Sequence, residues 1–542
     1  MPSSSSSRLE LIGDEHIPAS GGMLIIPNRL HFEDLLHLEK RFQGRSLIYL
    51  IERGMDYDPL LQAHLEKEDV EAIEFACEDS MLDAFKRQVH HSVEDGAVLM
   101  FVPGETLVRS GQNQTIPTRI LRFLIDSGAP VLPLFVERPA DTCLSIEPIR
   151  DVDRIVLSFG KLLEREAVTL ANYQERMLLA GEEAFSRRPI LKSHLGWALL
   201  RGLKKHGVTD KVIDGSDGSE LRFDKLLAAA IVLSKQIRKE TTQPRVGIIL
   251  PPGKAGLLAN LAVIFAGKVP VNLNFTAGEK AVASCIAQSG IDKFITADPF
   301  VRKMSRFPWP PNKQLVLIER LLPKLKAKIG LWFLLSKMLP AGLLATVLGI
   351  PKRGGHEEAV LLFTSGSSGD PKGVVLSHRN LLANVNQFGA RIDLRSDDKV
   401  LGCLPLFHSF GCTVTLWYPI IEGLSLVTYP SPLETGKLAE LVETHRISLL
   451  LATPTFLRGY LKKAKPEQLA STKLVITGAE KLPAKVAETF ETKFGKPVLE
   501  GYGLTETSPV TNVNLPDPES PVPGERRPVI ASRRSGSVGH PI

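Results

Sequence analysis

The chain has 542 residues, which is long enough for about three domain-sized units. Its 43% hydrophobic and 23% charged residues are ordinary for globular protein, and a net charge of +6 without a dense basic patch argues against a nucleic-acid partner. The five cysteines form no CxxC pair, and residues 1–20 lack the pattern of a signal peptide. The sequence therefore predicts a cytoplasmic protein without a zinc site or a disulfide framework.

The first elements of the chain alternate buried strands with polar turns. Residues 23–38 predict a strand, a turn and a helix, and residues 97–111 predict a buried strand, a Pro-Gly turn and a lone Arg109. Residues 128–137 predict another buried strand. In order and spacing these elements resemble the glycerolipid acyltransferase superfamily, which implies an α/β domain that acts on lysophospholipids.

The match to the acyltransferase motifs is imperfect. Asn28 and Asp34 fit the family's Asn-His-x-Ser-x-x-Asp motif, but Arg29 stands at the histidine position and His31 at the serine position. The family's Pro-Glu-Gly turn is replaced by Pro-Gly-Glu, ending at Glu105. Arg109 fits the arginine that the resemblance expects to bind the glycerol phosphate.

These departures leave three interpretations of residues 1–190. The family's histidine is a general base, and an arginine cannot take that role because its pKa stays above ~12 in proteins. Motif geometry therefore favours a degenerate domain that is inactive or only binds lipid. An active enzyme with His31 as its base, and an unrelated α/β domain, both remain open.

A domain boundary is predicted near residue 190, beside the sequence Arg187-Arg188-Pro189. Beyond it, residues 246–276 alternate strand, helix and strand, as a parallel α/β sheet does. The sequence thus predicts a first domain over residues 1–190 and a second α/β domain over residues 191–542.

Residues 323–350 carry a basic flank of Lys324, Lys326 and Lys328, followed by an apolar stretch that Lys337 and Pro340 interrupt. The stretch is too interrupted for a confident spanning helix, which needs about 20 apolar residues. Its pattern suits either a helix in a membrane interface, or a buried helical hairpin or the wall of an acyl tunnel. Both interpretations stay open, and the first predicts association with the inner face of the cell membrane.

Residues 359–377 predict a strand, a loop and a second strand. Glycines allow the loop backbone to approach a ligand closely, while hydroxyls and one lysine donate to phosphate oxygens. A flexible linker is disfavoured because strands flank the loop, and a Walker A loop would need Gly-Lys-Ser/Thr opening a helix. The predicted phosphate cradle consists of Thr364, Ser365, Gly366, Ser367, Ser368, Gly369 and Lys372.

This loop resembles the phosphate-binding signature of the adenylate-forming enzymes, a family of acyl-CoA synthetases, acyl-carrier-protein synthetases and luciferases. Three further matches follow in the family's order, at residues 405–411, 477–480 and 502–507. Four ordered matches over roughly 150 residues make coincidence an unsatisfactory explanation. The resemblance predicts the large N-terminal domain of such an enzyme over residues 191–542.

The resemblance also implies a role for each motif. The 364–373 loop, with Thr364 and Lys372, would hold the departing phosphates of ATP, and Thr505 and Glu506 would contact the α-phosphate and Mg²⁺. His408 would line the acyl pocket. The adenosine contacts implied are those of Gly478, Ala479, Glu480, Tyr502 and Gly503.

The implied activity is ATP- and Mg²⁺-dependent activation of a medium- or long-chain fatty acid as acyl-AMP. The acyl group would pass to a phosphopantetheine thiol, on acyl-carrier protein or CoA. Together the two halves resemble bifunctional bacterial enzymes that reacylate lysophospholipids. The family continues beyond the GSVGxP motif into a small lid domain, so we expect the chain to hold part of the ATP site. A non-catalytic lipid-binding or scaffolding protein is the alternative.

Overall fold

The computed structural model describes residues 8–57, 59–104, 116–137, 154–364, 370–392, 394–517 and 531–542. Their contacts divide them into two compact units. The first unit comprises the described residues up to 188 together with 517, 531 and 532, and the second comprises 189–516 and 533–542 with the same gaps.

The two units together contain the following β-strands, numbered in chain order. They are β1 (Arg8–Ile12), β2 (Met23–Pro27), β3 (Leu47–Glu52), β4 (Ala72–Phe75), β5 (Val98–Val102), β6 (Val131–Glu137), β7 (Arg154–Phe159), β8 (Lys211–Asp214), β9 (Glu220–Arg222), β10 (Arg245–Ile248), β11 (Val269–Asn272), β12 (Phe294–Thr296), β13 (Leu315–Leu317), β14 (Glu358–Thr364), β15 (Lys372–Ser377), β16 (Lys399–Gly402), β17 (Ser425–Thr428), β18 (Leu449–Ala452), β19 (Leu474–Thr477), β20 (Val498–Gly503), β21 (Val510–Val513) and β22 (His540–Pro541).

The α-helices cover or connect these strands. They are α1 (Phe32–Arg41), α2 (Pro59–Leu65), α3 (Asp79–Glu94), α4 (Thr118–Ile125), α5 (Leu170–Ser186), α6 (Leu195–Lys205), α7 (Phe223–Glu240), α8 (Lys254–Phe265), α9 (Glu279–Ser289), α10 (Asp298–Lys303), α11 (Ile318–Met338), α12 (Ala341–Leu348), α13 (His378–Ile392), α14 (Tyr418–Glu422), α15 (Thr435–His445), α16 (Pro454–Lys463) and α17 (Ala484–Phe494).

The first unit is built on a seven-stranded sheet in the order β1-β7-β6-β2-β5-β3-β4. Adjacent strands run parallel except for β6 and β7. Along β2, Met23 and Ile25 enter one apolar core and Leu24 and Ile26 enter the other. Both faces of the sheet are therefore covered by helices, which confirms the buried strands predicted within residues 23–38, 97–111 and 128–137.

The second unit contains two sheets. The six-stranded sheet has the order β13-β12-β10-β11-β14-β15, and the nine-stranded sheet has the order β22-β21-β20-β19-β18-β16-β17-β8-β9. Strands β10 and β11 are parallel and α8 connects them, which confirms the pattern predicted for residues 246–276. In the nine-stranded sheet β20, β19, β18, β16, β17 and β8 are parallel, and antiparallel strands flank them.

The segment 323–350 forms two helices, α11 and α12, separated at Leu339 and Pro340. Proline ends the first helix because it cannot donate a backbone hydrogen bond. Helix α11 packs against α7 through one face, so the segment is neither a spanning helix nor a buried hairpin. Within the described ranges, no helix is both long and apolar enough to cross a membrane.

Two buried histidines face each other where the second unit begins. The rings of His194 and His378 lie 3.8 Å apart between centroids. The amide of Leu195 donates to His378 Nδ1 (3.1 Å), and the amide of Gly196 donates to His194 Nδ1 (3.0 Å). Both Nδ1 atoms thus act as acceptors, a role that only an unprotonated nitrogen fills.

Burial lowers the pKa of His194 to about 4, and burial together with the His194 ring lowers the pKa of His378 to about 3. The unfolded chain titrates near 6.5, so it binds more protons than the folded chain below that pH. Stability contributed by the neutral pair is therefore present above about pH 6.5 and lost as pH falls toward 4.

We expect the free energy of unfolding to fall between pH 6.5 and pH 5, by up to about 1.4 kcal/mol per pH unit for each histidine. His378→Asn keeps an acceptor for the Leu195 amide and removes one titrating group, so its pH dependence should be shallower. Chemical denaturation at several pH values measures this, with the exposed His91→Asn as the control. Equal slopes in wild type and His378→Asn would show that the pair does not titrate as described.

Candidate active site

Four parallel neighbours of the nine-stranded sheet end at one edge. Strand β16 leads into residues 405–411, β18 into residues 453–455, β19 into residues 478–480 and β20 into residues 504–507. Ligand sites in parallel sheets form at the carboxyl ends of strands, where loops from several strands meet. Three motifs that are separate in the sequence thus lie at one edge.

The segment after β16 turns sharply into a helix of wide, π-type turns at residues 410–417. Gly411 permits this turn, because a Cβ there would lie 2.2 Å from the Pro405 carbonyl oxygen. His408 is exposed, and its ring lies 4.6 Å from that of Phe407 between centroids. Phe407 in turn packs edge-on against Phe275 at 5.1 Å. Desolvation by the surrounding protein lowers the pKa of His408, which favours its neutral form.

The segment after β20 is joined to the segment after β16. The hydroxyl groups of Ser409 and Thr505 lie 3.4 Å apart, at the long end of hydrogen-bond distance. The hydroxyl of Thr507 accepts from the amide of Leu504 (2.9 Å) and closes the turn. At Gly503 a Cβ would lie 1.8 Å from the Pro509 carbonyl oxygen, so only glycine fits. This turn leaves Glu506 exposed and Thr505 half-buried.

The segment after β19 lies between its two neighbours. A Cβ on Gly478 would lie 3.4 Å from the Gly501 carbonyl oxygen and 3.9 Å from the Phe410 ring. Ala479 has φ of 67°, a left-handed conformation that non-glycine residues rarely adopt and that concentrates at functional sites. The hydroxyl of Thr455, from the segment after β18, donates to Glu480 (2.8 Å).

The phosphate-cradle loop joins two antiparallel strands, β14 and β15, whose last pair is Thr364 and Lys372. The strands thus extend further than the sequence indicated, because this pairing continues past Phe363 and before Val374. Lys372 is exposed, and β15 packs against the turn at Thr505–Thr507. Ser365, Gly366, Ser367, Ser368 and Gly369 lie outside the described residues.

Sequence reasoning missed Asn384, a residue that joins α13 to the strand after the Glu506 turn. Asn384, on α13, donates to the carbonyl of Val510 (2.7 Å) and accepts from its amide (3.2 Å). This pair of bonds fixes β21, the strand that follows the Glu506 turn. No local pattern marks Asn384, because its partner lies 126 residues away.

The charged groups of the site suit a magnesium–triphosphate substrate. Lys372 offers three donors for phosphate oxygens, and Glu506 offers a hard oxygen ligand. Among the described residues, no cluster of three or more histidine, cysteine, aspartate or glutamate side chains could hold a metal ion.

In the first unit, the residues predicted for acyl transfer have structural contacts. Asn28, at the end of β2, donates to the carbonyl of Val136 (3.3 Å) and accepts from its amide (2.7 Å). His31 precedes α1, and its amide donates to the buried carboxylate of Asp34 (3.0 Å). Glu105 and Arg109 lie outside the described residues.

The sequence of most of the second unit matches a known family. The family model described as AMP-binding enzyme matches residues 206–542, so the chain belongs to the AMP-binding enzyme family. The second unit has the α/β fold of the large N-terminal domain of adenylate-forming enzymes.

Curated relatives include two ligases. The chain is 30% identical to the long-chain-fatty-acid–CoA ligase of Bacillus subtilis (strain 168) over 367 residues, 61% of this chain and 61% of the relative. It is 34% identical to the medium-chain fatty-acid–CoA ligase of Escherichia coli (strain K12) over 168 residues, 31% of this chain and 29% of the relative. The chain thus spans less than two thirds of either relative.

A solved structure shares the fold. The N-terminal subdomain of NpsA from Klebsiella oxytoca, in complex with 3-hydroxybenzoyl-AMSN, matches with a TM-score of 0.50 and 16% identity. The match covers 66% of this chain and 80% of that one. At this identity the likeness concerns the fold alone.

The hydroxyl of Thr477, at the end of β19, is buried and has no hydrogen-bond partner among the residues that the structure describes. Thr477→Val keeps the side-chain shape and removes this unsatisfied group, so we expect stability to be unchanged or raised by up to about 1 kcal/mol. Thr428→Val is the matched control, since the Thr428 hydroxyl donates to Ile213 (3.2 Å) and its loss should cost about 1 kcal/mol. Urea denaturation compares the two, and equal losses would show that Thr477 is bonded in solution.

Proposed function

We propose that the second unit activates a medium- or long-chain fatty acid with ATP, forming acyl-AMP, and transfers the acyl group to a phosphopantetheine thiol. The observation that supports this proposal is that β15, which begins with Lys372, packs against the turn Thr505–Thr507. The hydroxyl of Ser409, the neighbour of His408 in the chain, lies 3.4 Å from that of Thr505. The names of the Bacillus and Escherichia relatives support a fatty acid as substrate and CoA as acceptor.

The chemistry explains the residue types. The fatty-acid carboxylate attacks the α-phosphorus of ATP, and the bond to pyrophosphate breaks as the new acyl phosphate bond forms. Positioning and charge neutralisation supply most of the catalysis in such transfers. Lys372 would neutralise the departing pyrophosphate, and Thr505 would donate to the α-phosphate. Magnesium, held by Glu506, would neutralise phosphate charge.

The adenine would lie over the exposed ring of Tyr502, beside the backbone of Gly478, Ala479 and Glu480. Tyr502 is 50% exposed and needs no rearrangement to offer its face to a base. Ala479, at the end of β19, has a left-handed φ of 67°, a conformation that concentrates at functional sites. His408, held in its neutral form, would line the acyl entrance without placing a charge there.

We further propose that this ligase acts in phospholipid remodelling, in the manner of the bifunctional 2-acylglycerophosphoethanolamine acyltransferase/acyl-[acyl-carrier-protein] synthetase. Acyl-carrier protein would then be the acceptor in place of CoA, and a lysophospholipid would receive the acyl group. We do not expect the first unit to catalyse that last step itself, because Arg29 stands at the position of the base. The motif order of the first unit supports this proposal. The protein would act at the inner face of the cell membrane.

Glu506→Gln tests the ligase proposal. The amide keeps the shape of the carboxylate and removes its charge, so we expect fatty-acid-dependent ATP–pyrophosphate exchange to fall by about 10²-fold. Thermal stability should be unchanged because Glu506 is exposed.

Glu434→Gln, at another exposed glutamate, is the control and should keep wild-type exchange. Calorimetry of ATP binding, with and without Glu506→Ala, separates the ligase from a non-catalytic lipid-binding protein. A chain that binds lipid but neither ATP nor a fatty-acyl adenylate analogue would contradict the proposal.

For the first unit we expect no intrinsic acyl transfer to lysophosphatidylethanolamine, because Arg29 stands where a base is required. The measurement is transfer of labelled acyl groups by wild type and by His31→Ala. Acyl transfer by the wild type that His31→Ala abolishes, with folding preserved by circular dichroism, would show instead that His31 is the base.

A further inference from the structure

Helix α11 presents a continuous stripe of exposed side chains. Spacing of three and four residues places them on one face of the helix, and all are exposed. The first half of the stripe is basic and the second half apolar, with Leu331 at 56%, Leu334 at 59% and Met338 at 79% exposure. The stripe consists of Arg320, Lys324, Ala327, Leu331, Leu334 and Met338.

Helix α12, which follows α11 after Leu339 and Pro340, also has exposed apolar side chains. Leu343 and Val347, one turn apart, are 51% and 53% exposed. Of the sixteen large apolar side chains exposed in the described part of the chain, five therefore fall within residues 331–347. Single exposed apolar residues are normal, but a cluster of this kind marks an interaction surface.

Contacts on the opposite face of α11 hold the helix so that the stripe faces solvent. The Lys235 ammonium, on α7, lies 4.0 Å from the centroid of the Trp332 ring. The Lys204 ammonium, on α6, donates to the carbonyl of Ser336 (2.7 Å). The helix is thus bound to the second unit along its inner face, and the exposed leucines cannot turn inward without breaking these contacts.

The segment that carries the stripe has basic residues and no acidic ones. Residues 320–356 contain no aspartate or glutamate. Among their cations, Lys324, Lys326 and Lys328 are exposed on α11. Asp298 pairs with Arg320 at the start of the stripe, and Asp224 lies 3.5 Å from Lys337. A surface that joins apolar side chains to an excess of basic ones suits the boundary of a membrane with anionic headgroups. The seven cations are Arg320, Lys324, Lys326, Lys328, Lys337, Lys352 and Arg353.

We propose that the outer face of α11 and α12 docks on an anionic lipid surface, with α11 lying in the plane of the interface. Leu331, Leu334 and Met338 would enter the acyl boundary, and the lysines would contact phosphate headgroups. A second copy of the chain is a poorer occupant, because two such faces would bring their cations together. The inference deepens the proposed function, whose acyl substrates reside in bilayers, but its test needs no catalysis.

Flotation of the full chain with vesicles tests the proposal. We expect binding to vesicles of phosphatidylcholine with phosphatidylglycerol, and little binding to phosphatidylcholine alone. The triple variant L331E/L334E/M338E places charges in the docking face and should lose roughly tenfold or more of this binding. The matched control L178E/L179E/L433E alters three other exposed leucines and should bind as wild type does.

A second variant tests the basic residues of α11. Replacing Lys324, Lys326 and Lys328 with glutamine should weaken binding to the anionic vesicles and flatten its decline with salt. Circular dichroism and binding of a fatty-acyl adenylate analogue establish that each variant is folded and that its nucleotide site is intact. Failure of docking is thereby distinguished from failure of the ligase proposal.

Three results would overturn the inference. One is wild-type protein that does not float with anionic vesicles. Another is equal flotation of wild type and L331E/L334E/M338E. The third is sedimentation showing that wild type self-associates and that the same variant is monomeric, which would assign the face to a second copy of the chain.

Discussion

Parallel pairing in the nine-stranded sheet is the constraint on which the site depends. Val400 pairs with Leu449, Leu449 with Leu474, and Val475 with Val498, so β16, β18, β19 and β20 run side by side in one direction. Each strand must return through a connection before the next begins, and all of them therefore end at the same edge. Segments about a hundred residues apart in the sequence become neighbours for this reason.

The site combines a rigid floor with an exposed rim. Ser409 and Thr477 are buried at the strand ends, whereas Lys372, Tyr502 and Glu506 face solvent. Backbone geometry that only glycine allows, at residues 411 and 503, fixes the floor. Charged groups on an exposed rim cost little desolvation before a substrate arrives, and they gain strength when a bound nucleotide excludes water.

The local sequence pattern was sufficient to predict the strands that are buried along most of their length. Strands β2, β5, β6 and β14 read as apolar runs because both of their faces are covered, and the glycine-rich loop reads as a turn because strands bound it. The histidine pair, Asn384 and Ala479 carry no such signal. The amide of Leu195 donates to His378 across 183 residues, and Ala479 has a left-handed φ that its residue type does not indicate. These features follow from tertiary pairing, which a single sequence does not display.

Helix α13 connects the two charged sides of the site. It follows β15, the strand that carries Lys372, without an intervening residue, and Ser377 and Asn380 cap its start through reciprocal hydrogen bonds. Further along α13, Asn384 forms two hydrogen bonds with the backbone of Val510 in β21, the strand that follows the Glu506 turn. The strand that begins with Lys372 and the strand that follows the Glu506 turn are therefore both joined to α13. Because His378 is the first residue of α13, protonation of the histidine pair would disturb the helix that holds β21.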